Sequence, residues 1–426
     1  MDEKEMSPLQ VKFLGGTQEV GRNAILVKTE KTQVLLDYGV MLNHEPGFPI
    51  HVPPREVDAI ILGHSHLDHS GAIPVFYIHE KKPTYTTKLT AELSQLLISD
   101  FIHLSSYYLP YEYLELRTML RNIRPLDFGQ KEVIGDISFQ LYNAGHIPGS
   151  AQVLIEAEGR RILYTGDFNL TDTRLLEGAR MDYSDLDAVI MESTYANEDH
   201  PERLELERRF VEEVTDVVER GGTVLVPAFS IGRAQEIACI LSAYHFEHPV
   251  YLDGMAREAS RVMMNYVRFL RDPKMFMDAI HSVNWVEGWR DRRKATKTPA
   301  VIISPAGMLK GGPAAFYISK IGKKAQNAVF LVSYQIPGTP GRELLEKGVC
   351  VIDGKMRKVK ATVKHFDFSS HCGAKELREA VKRINGKTKF YVIHGAEGNC
   401  ELLAKWIREE AGFEAVAPRP GDTFEV

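Results

Sequence analysis

Short apolar stretches closed by a polar residue and a glycine dominate the first half of the chain. Val11–Leu14, Ala24–Val27, Val34–Leu36, Ala59–Leu62, Ile162–Tyr164 and Ala188–Met191 are the clearest of them. Runs this short, rich in valine, isoleucine and leucine and bounded by turn residues, predict strands rather than helices. Several end as Leu35-Leu36-Asp37-Tyr38-Gly39 does, with a polar residue just past the apolar run and then glycine. Sheet-based enzymes keep their functional side chains at strand ends of this kind.

From about residue 197 the pattern changes to regular strand–helix alternation. A charged helix over Glu202–Arg220 leads through Gly221-Gly222 into the strand Thr223–Pro227. A helix from about Arg233, the strand Pro249–Leu252, a helix from about Ala256 and the strand Ala300–Ser304 follow, then another helix and the strand Ala328–Ser333. Alternation of this kind predicts a parallel sheet flanked by helices. After residue 369 a closing segment holds the strand Phe390–Ile393, the helix Cys400–Glu410 and a strand near Thr423. With no repeat and no low-complexity linker, the layout fits an α/β domain inserted into another α/β domain. Residues 1–196 and 369–426 would form the host and 197–368 the insert.

A chain of 426 residues exceeds what one small core organises. Its 26% charged and 44% hydrophobic residues are those of an ordinary globular protein. No apolar run reaches the roughly 18–20 residues that span a bilayer, so no membrane partner is expected. The start, MDEKEMSPLQ, is acidic and polar, unlike a secretory signal or transit peptide, which predicts a cytoplasmic address. A net charge of −5 excludes a protein that coats nucleic acid; any such contact would be local. Cys239, Cys350, Cys372 and Cys400 form no CxxC pair, which argues against a disulfide framework and a thiolate metal site.

The strongest chemical signal is His64-Ser65-His66-Leu67-Asp68-His69, directly after an apolar strand. Isolated histidines such as His44, His51, His79, His103, His245, His248 and His281 read as core or surface residues. Three imidazoles and a carboxylate clustered at a strand end read as metal ligands, because histidine and aspartate are common nitrogen and oxygen ligands of zinc. In extended chain His64 and His66 point the same way, while Asp68 and His69 lie past the bend, so one loop can serve two adjacent metals. Each metal needs further ligands, and His146 and Asp167 stand in turn-like contexts, in Ala144-Gly145-His146-Ile147-Pro148-Gly149-Ser150 and Tyr164-Thr165-Gly166-Asp167-Phe168.

The His-x-His-x-Asp-His signature, the later histidine, the Gly-Asp strand end and the early Asp37 together resemble the metallo-β-lactamase superfamily. The remaining motifs resemble its β-CASP nucleases, typified by the nuclease subunit of the cleavage and polyadenylation specificity factor and by ribonuclease J. The closest likeness is to their short prokaryotic, archaeal-type relatives. Motif A matches Glu192 in Met191-Glu192-Ser193-Thr194-Tyr195, motif B His371 in Phe368-Ser369-Ser370-His371, and motif C His394 in Val392-Ile393-His394-Gly395. Gly307-Met308-Leu309, Gly311-Gly312-Pro313, Ser333-Tyr334-Gln335 and Pro337-Gly338-Thr339 resemble segments of the inserted domain. Two departures stand out: Gly373 replaces a frequent Asp after motif B, and Ala396 intervenes between Gly395 and Glu397.

The resemblance implies a metallo-β-lactamase αββα sandwich with an inserted α/β β-CASP domain. It implies one metal on His64, His66 and His146 and a second on Asp68, His69 and His394, with Asp167 bridging. A nitrogen-rich set without thiolates suits two Zn2+, with Mn2+ as the alternative. Asp68 and Asp37 count among the catalytic carboxylates. Asp37 would orient a ligand or the attacking water, against the rival role of capping the turn at Tyr38-Gly39. His371, kept protonated by Glu192, would act as general acid. The rival readings are that Glu192 caps the next segment and that His371 donates to a backbone carbonyl. Gly311 and Gly312 would present amides to a phosphate, with Ser304, Ser333 and Tyr334 on the same rim, although Pro313 at a helix start is equally expected on structural grounds. The basic runs Arg290–Lys297 and Lys355–Lys364 are either solvated surface or a track for an RNA backbone.

The expected activity is metal-dependent hydrolysis of RNA in processing or decay, by internal cutting, 5′-to-3′ trimming or both. RNA is favoured over DNA because the DNA-processing β-CASP branch typically lacks the motif C histidine, and His394 is present. A small-molecule thioesterase of the same fold is the rival enzyme, but small substrates need no such long insertion. An inactive scaffold subunit is the rival of another class, but every expected ligand is retained. The resemblance also implies a homodimer, with the apolar Phe413–Pro418 contributing. Because the first strand begins near Val11, no separate RNA-binding module is expected ahead of the core.

Overall fold

The computed structural model of the protein describes residues 9–42, 45–105, 108–352, 354–396 and 398–426; His44 and Glu397 lie outside them. The chain forms two compact units, one made of residues up to Asp172, Gly178–Asp199 and Ser370–Val426, the other of Thr173–Glu177 and His200–Ser369.

The first unit is built on two seven-stranded sheets. One runs, edge to edge, through Thr423–Glu425, Gln10–Gly15, Ala24–Lys28, Gln33–Leu36, Ala59–Ile61, Thr84–Thr87 and Ile123–Leu126. The other runs through Glu414–Val416, Lys389–Ile393, Ala188–Glu192, Arg160–Tyr164, Ala151–Ala157, Ile137–Asn143 and Lys131–Ile134. Side chains alternate along each strand, and both faces are buried here, which is why the runs read as continuously apolar. Val11, Phe13, Ile25, Val27 and Leu36 meet Phe139, Val153, Ile162, Ile190 and Tyr391 in the core between the sheets. Their neighbours Leu26, Leu35 and Ile60 face outward onto Ile98, Leu116 and Met119 of the helices Lys88–Leu104 and Tyr113–Asn122. On the other side Leu163, Val189, Phe390 and Val392 cover Leu377, Val381 and Leu403 of the helices Ala374–Lys382 and Asn399–Trp406. The layers are helix, sheet, sheet, helix, as the resemblance implies.

The second unit is an open six-stranded parallel sheet in the order Asn284–Trp285, Val250–Leu252, Ala300–Ser304, Thr223–Pro227, Ala328–Leu331, Thr362–His365. The predicted strand over 328–333 stops at Leu331, leaving Ser333 beyond the sheet end. Helix Arg203–Glu219 starts where Glu202 accepts the amides of Leu204 and Glu205.

Sequence alone predicts one unbroken host piece over 1–196, whereas Thr173–Glu177 groups with the second unit. The buried Glu236 accepts the amides of Arg174 at 3.0 Å and Leu175 at 2.8 Å. Arg174 Nε donates to the buried Glu207 at 2.8 Å, and Leu175 O accepts from Arg271 N at 3.0 Å. The segment Phe413–Pro418 is also occupied internally. Phe413 packs on Phe390 with ring centroids 5.2 Å apart, and Glu414–Val416 forms an edge strand.

Candidate metal centre and its acid pair

Strand ends from both sheets of the first unit supply the site. Asp37 follows Gln33–Leu36, His64 follows Ala59–Ile61, His146 follows Ile137–Asn143, Asp167 follows Arg160–Tyr164, Glu192 ends Ala188–Glu192 and His394 follows Lys389–Ile393. The histidine-rich loop is pinned by backbone hydrogen bonds from the Asp37 turn and its neighbours. Tyr38 N donates to His69 O, Val40 N to Leu67 O and Asn23 N to Asp68 O, all at 2.8 Å. A Cβ on Gly39 would stand 1.7 Å from Asp68 O, so only glycine allows this approach.

His64 Nε2 and His146 Nε2 each lie 3.2 Å from His66 Nδ1, and 3.6 and 3.7 Å from Asp167 Oδ2. On the other side of the same carboxylate, Asp167 Oδ1 lies 3.3 Å from His69 Nε2 and 3.2 Å from His394 Nδ1. His394 Nε2 lies 3.5 Å from Asp68 Oδ2. Two ligand groups therefore share Asp167, and a third joins it to Glu192 and His371; within each group the ligand atoms lie within 4.8 Å of one another.

The donor set fits a divalent cation. His69 Nε2, His394 Nε2 and Asp167 Oδ1 are buried without any hydrogen-bond partner. A buried polar atom left this way carries a desolvation cost of about 1–3 kcal/mol, and three such atoms converge here. The outer nitrogens are spoken for: His69 Nδ1 donates to Asp37 Oδ2 at 2.7 Å and His146 Nδ1 to Ser370 O at 2.9 Å. Placing the proton there leaves each Nε2 with a lone pair for a metal.

Burial, reinforced by neighbouring imidazoles, pushes the pKa of His64 and of His146 well below the usual imidazole value, and burial takes His66 down to about 4. These rings are thus neutral, the form that ligates metal. Burial opposes charge on His69 too, but Asp167 and Asp37 overcome it and raise its pKa. Burial also works against ionised Asp68 and Asp167; the facing histidines, His394 and His69 among them, outweigh it and lower both.

Asp37 is fully buried, and its Oδ1 accepts from Gly63 N at 2.7 Å, its Oδ2 from Tyr164 Oη at 2.5 Å. The amides of the Tyr38-Gly39 turn go instead to His69 O and Asn23 O, so Asp37 does not cap that turn. It holds His69 through the ring Nδ1. His371 Nδ1 lies 3.0 Å from both carboxylate oxygens of Glu192. Glu192 is buried and also accepts from Phe168 N at 2.8 Å, Thr194 N at 3.4 Å and the Thr194 hydroxyl. The pairing and the capping role therefore coexist in one carboxylate. Burial disfavours charge on His371, but Glu192, Asp167 and Asp68 outweigh it and raise its pKa to about 9. Its ring stands 4.4 Å from that of His146, and the side chain keeps 19% exposure. Gly373 begins the helix Ala374–Lys382, its amide held by Glu376 at 3.0 Å.

Asn23, Tyr164 and Thr194 received no role from the sequence, although Thr194 stands inside motif A. Tyr164 reads as the end of an apolar strand, and Asn23, whose Nδ2 donates to Tyr164 Oη, belongs to no motif. The five residues expected to face a phosphate all lie in the second unit. Ser304 is a correction: it is fully buried, with its hydroxyl turned to Pro305 O at 3.4 Å, because it still belongs to the sheet. Ser333 is buried with no hydrogen-bond partner on Oγ, Tyr334 is exposed, and Gly311 and Gly312, both left-handed, open the helix Gly312–Ile321.

An αββα sandwich carrying two histidine–aspartate clusters joined by one carboxylate defines a metallohydrolase-type site for divalent metal. Three family descriptions match the chain: Metallo-beta-lactamase superfamily over residues 17–211, Beta-Casp domain over 234–344, and Zn-dependent metallo-hydrolase RNA specificity domain over 356–418. The chain is 42% identical to RNase aCSPSF2 of Saccharolobus solfataricus over 98% of its own length and 85% of that protein. It is 38% identical to Probable RNase MJ4 of Methanocaldococcus jannaschii over 98% of its own length and 100% of that one. Transcription termination factor FttA of Pyrococcus horikoshii is 35% identical, over 98% of this chain and 71% of that protein. A crystal structure of a protein of unknown function from Enterococcus faecalis V583 shares the fold, with a TM-score of 0.64 over 99% of this chain and 100% of that one at 16% identity. The chain belongs to the metallo-β-lactamase superfamily, in its β-CASP branch. No helix among the described residues is long and apolar enough to cross a membrane.

Proposed function

We propose that this protein is a metal-dependent ribonuclease of the cytoplasm that hydrolyses RNA phosphodiester bonds. The observation that carries the reading is the sharing of Asp167 between two ligand clusters and the Glu192–His371 pair. Relatives at 42% and 38% identity bear the name RNase, which supports RNA as the substrate. His64, His66 and His146 would hold one zinc ion, Asp68, His69 and His394 a second, and Asp167 both; manganese is the alternative occupant. When bound, the ions supply Lewis acidity and lower the pKa of water from 15.7 towards about 7.

The chain's own residues do the rest. Asp37 fixes the tautomer and direction of His69, and Ser370 O does the same for His146. His371 delivers a proton to the leaving oxygen, and Glu192 keeps it protonated at neutral pH. Glu192 is held by the Phe168 amide and Thr194 and cannot swing away. The insertion over 197–368 is read as the β-CASP domain, and the working form as a homodimer. Both rest on the family likeness.

The test is cleavage of one RNA labelled at either end, in linear and circular forms, by wild type, Asp68→Ala and His371→Ala. Cutting of the circle by wild type alone identifies an endonuclease, and stepwise loss from the 5′ end of linear RNA alone identifies an exonuclease. Intact RNA in every lane, with metal bound, would hand the site to small-molecule hydrolysis.

A further inference from the structure

Trp289 opens the helix Trp289–Ala295 in the second unit and is 57% exposed. It is nevertheless held firmly. The ring of Phe316 packs edge-on against it at 5.3 Å, and the guanidinium of Arg292 sits 5.0 Å from its ring centre. Arg292 is itself locked, because its Nε and Nη2 donate to Asp253 at 2.7 and 3.1 Å. Asp253 is fully buried and also accepts from Tyr317 Oη at 2.8 Å and Gly254 N at 2.6 Å. It directly follows Val250–Leu252, at the carboxyl end of the parallel strands, where open α/β sheets receive their ligands.

The helix that carries this aromatic surface is rich in cations. Arg290, Arg293 and Lys294 on the same helix are exposed, and among the described residues none of them joins an ion pair. Lys320 Nζ lies 6.0 Å over the Phe316 ring. Arg292, by contrast, is fastened to Asp253, so the basic run is not uniformly solvated. An apolar partner surface would meet one exposed indole on a helix that carries three exposed cations, unpaired among the described residues. A single-stranded polyanion offers what this surface lacks, a flat π-face for the indole and phosphates for the free cations.

We propose that Trp289, backed by Phe316 and Arg292, with Arg290 and Arg293 on its helix and Lys320 over Phe316, is a base-stacking platform for single-stranded RNA, separate from the metal ligands. It deepens the ribonuclease reading and rests on it. Fluorescence anisotropy of the full chain with a short phosphorothioate-linked oligouridylate tests it. Wild type, Trp289→Ala, Trp289→Phe and the double variant Arg290→Ala/Arg293→Ala are compared. Hydrolysis of bis(p-nitrophenyl) phosphate and sedimentation are followed beside the binding.

Trp289→Ala weakens binding about tenfold to a hundredfold, and Trp289→Phe recovers most of it. The double arginine variant binds more weakly with a shallower salt dependence. Hydrolysis of the small diester is the same in all four. Binding by Trp289→Ala within twofold of wild type overturns the platform, and if sedimentation shifts as well, the surface is an interface between copies instead. Failure of wild type to hydrolyse RNA and the small diester removes the ribonuclease reading. The platform is then decided by the binding comparison alone.

Discussion

At the scale of single residues, the site separates side chains that would hold metal from side chains that would move a proton. Asp68→Ala should lose bound metal and activity together, as read by elemental analysis and RNA cleavage. His371→Ala should keep its metal and lose about 10²–10⁴-fold in kcat, the usual worth of a general acid. Loss of metal from His371→Ala would make that residue a ligand instead. Tyr164→Phe removes the hydroxyl that Asp37 accepts at 2.5 Å. A hydrogen bond to a charged group is worth about 1.5–3 kcal/mol, so denaturant unfolding should show a loss of that size. The candidate ligand clusters were legible because six consecutive residues offered four of their members. Tyr164 was not, since its ring belongs to the apolar strand pattern and only its hydroxyl meets Asp37, 127 positions away.

At the scale of elements, turns carry the chemistry and strands aim it. Gly39 is the plainest case, because an added Cβ would overlap Asp68 O. Gly39→Ala should displace the histidine loop, lower the melting temperature and lower the metal content. Gly288→Ala, where nothing lies within 4 Å, should change neither. Equal metal content in the two variants would mean that the loop is not held by this contact. Strands buried on both faces, such as Ala188–Glu192, showed as unbroken apolar runs. Ile137–Asn143 did not, because Ser138, Gln140 and Tyr142 alternate with its core-facing residues. Yet that strand delivers His146 to its cluster, so the candidate ligand was read from its turn and not from its element.

At the scale of the whole molecule, the change of pattern near residue 197 announced an inserted parallel sheet, and the family match over 234–344 lies within that region. The detour of Thr173–Glu177 could not be read, because its partners Glu207, Glu236 and Arg271 are distant in sequence and look like surface charges. Removing the buried carboxylate of Glu236, which Arg203 and two amides share, should destabilise by about 3–5 kcal/mol in the Glu236→Ala variant, measured by denaturant unfolding. The central claim is that RNA hydrolysis requires two divalent ions on the clusters that share Asp167. Protein stripped by a chelator and then titrated with zinc, with cleavage of labelled RNA read at each addition, tests it most directly. The account predicts no cleavage by the stripped protein and full recovery as two equivalents bind. Undiminished cleavage without metal, or none at full occupancy, would contradict it.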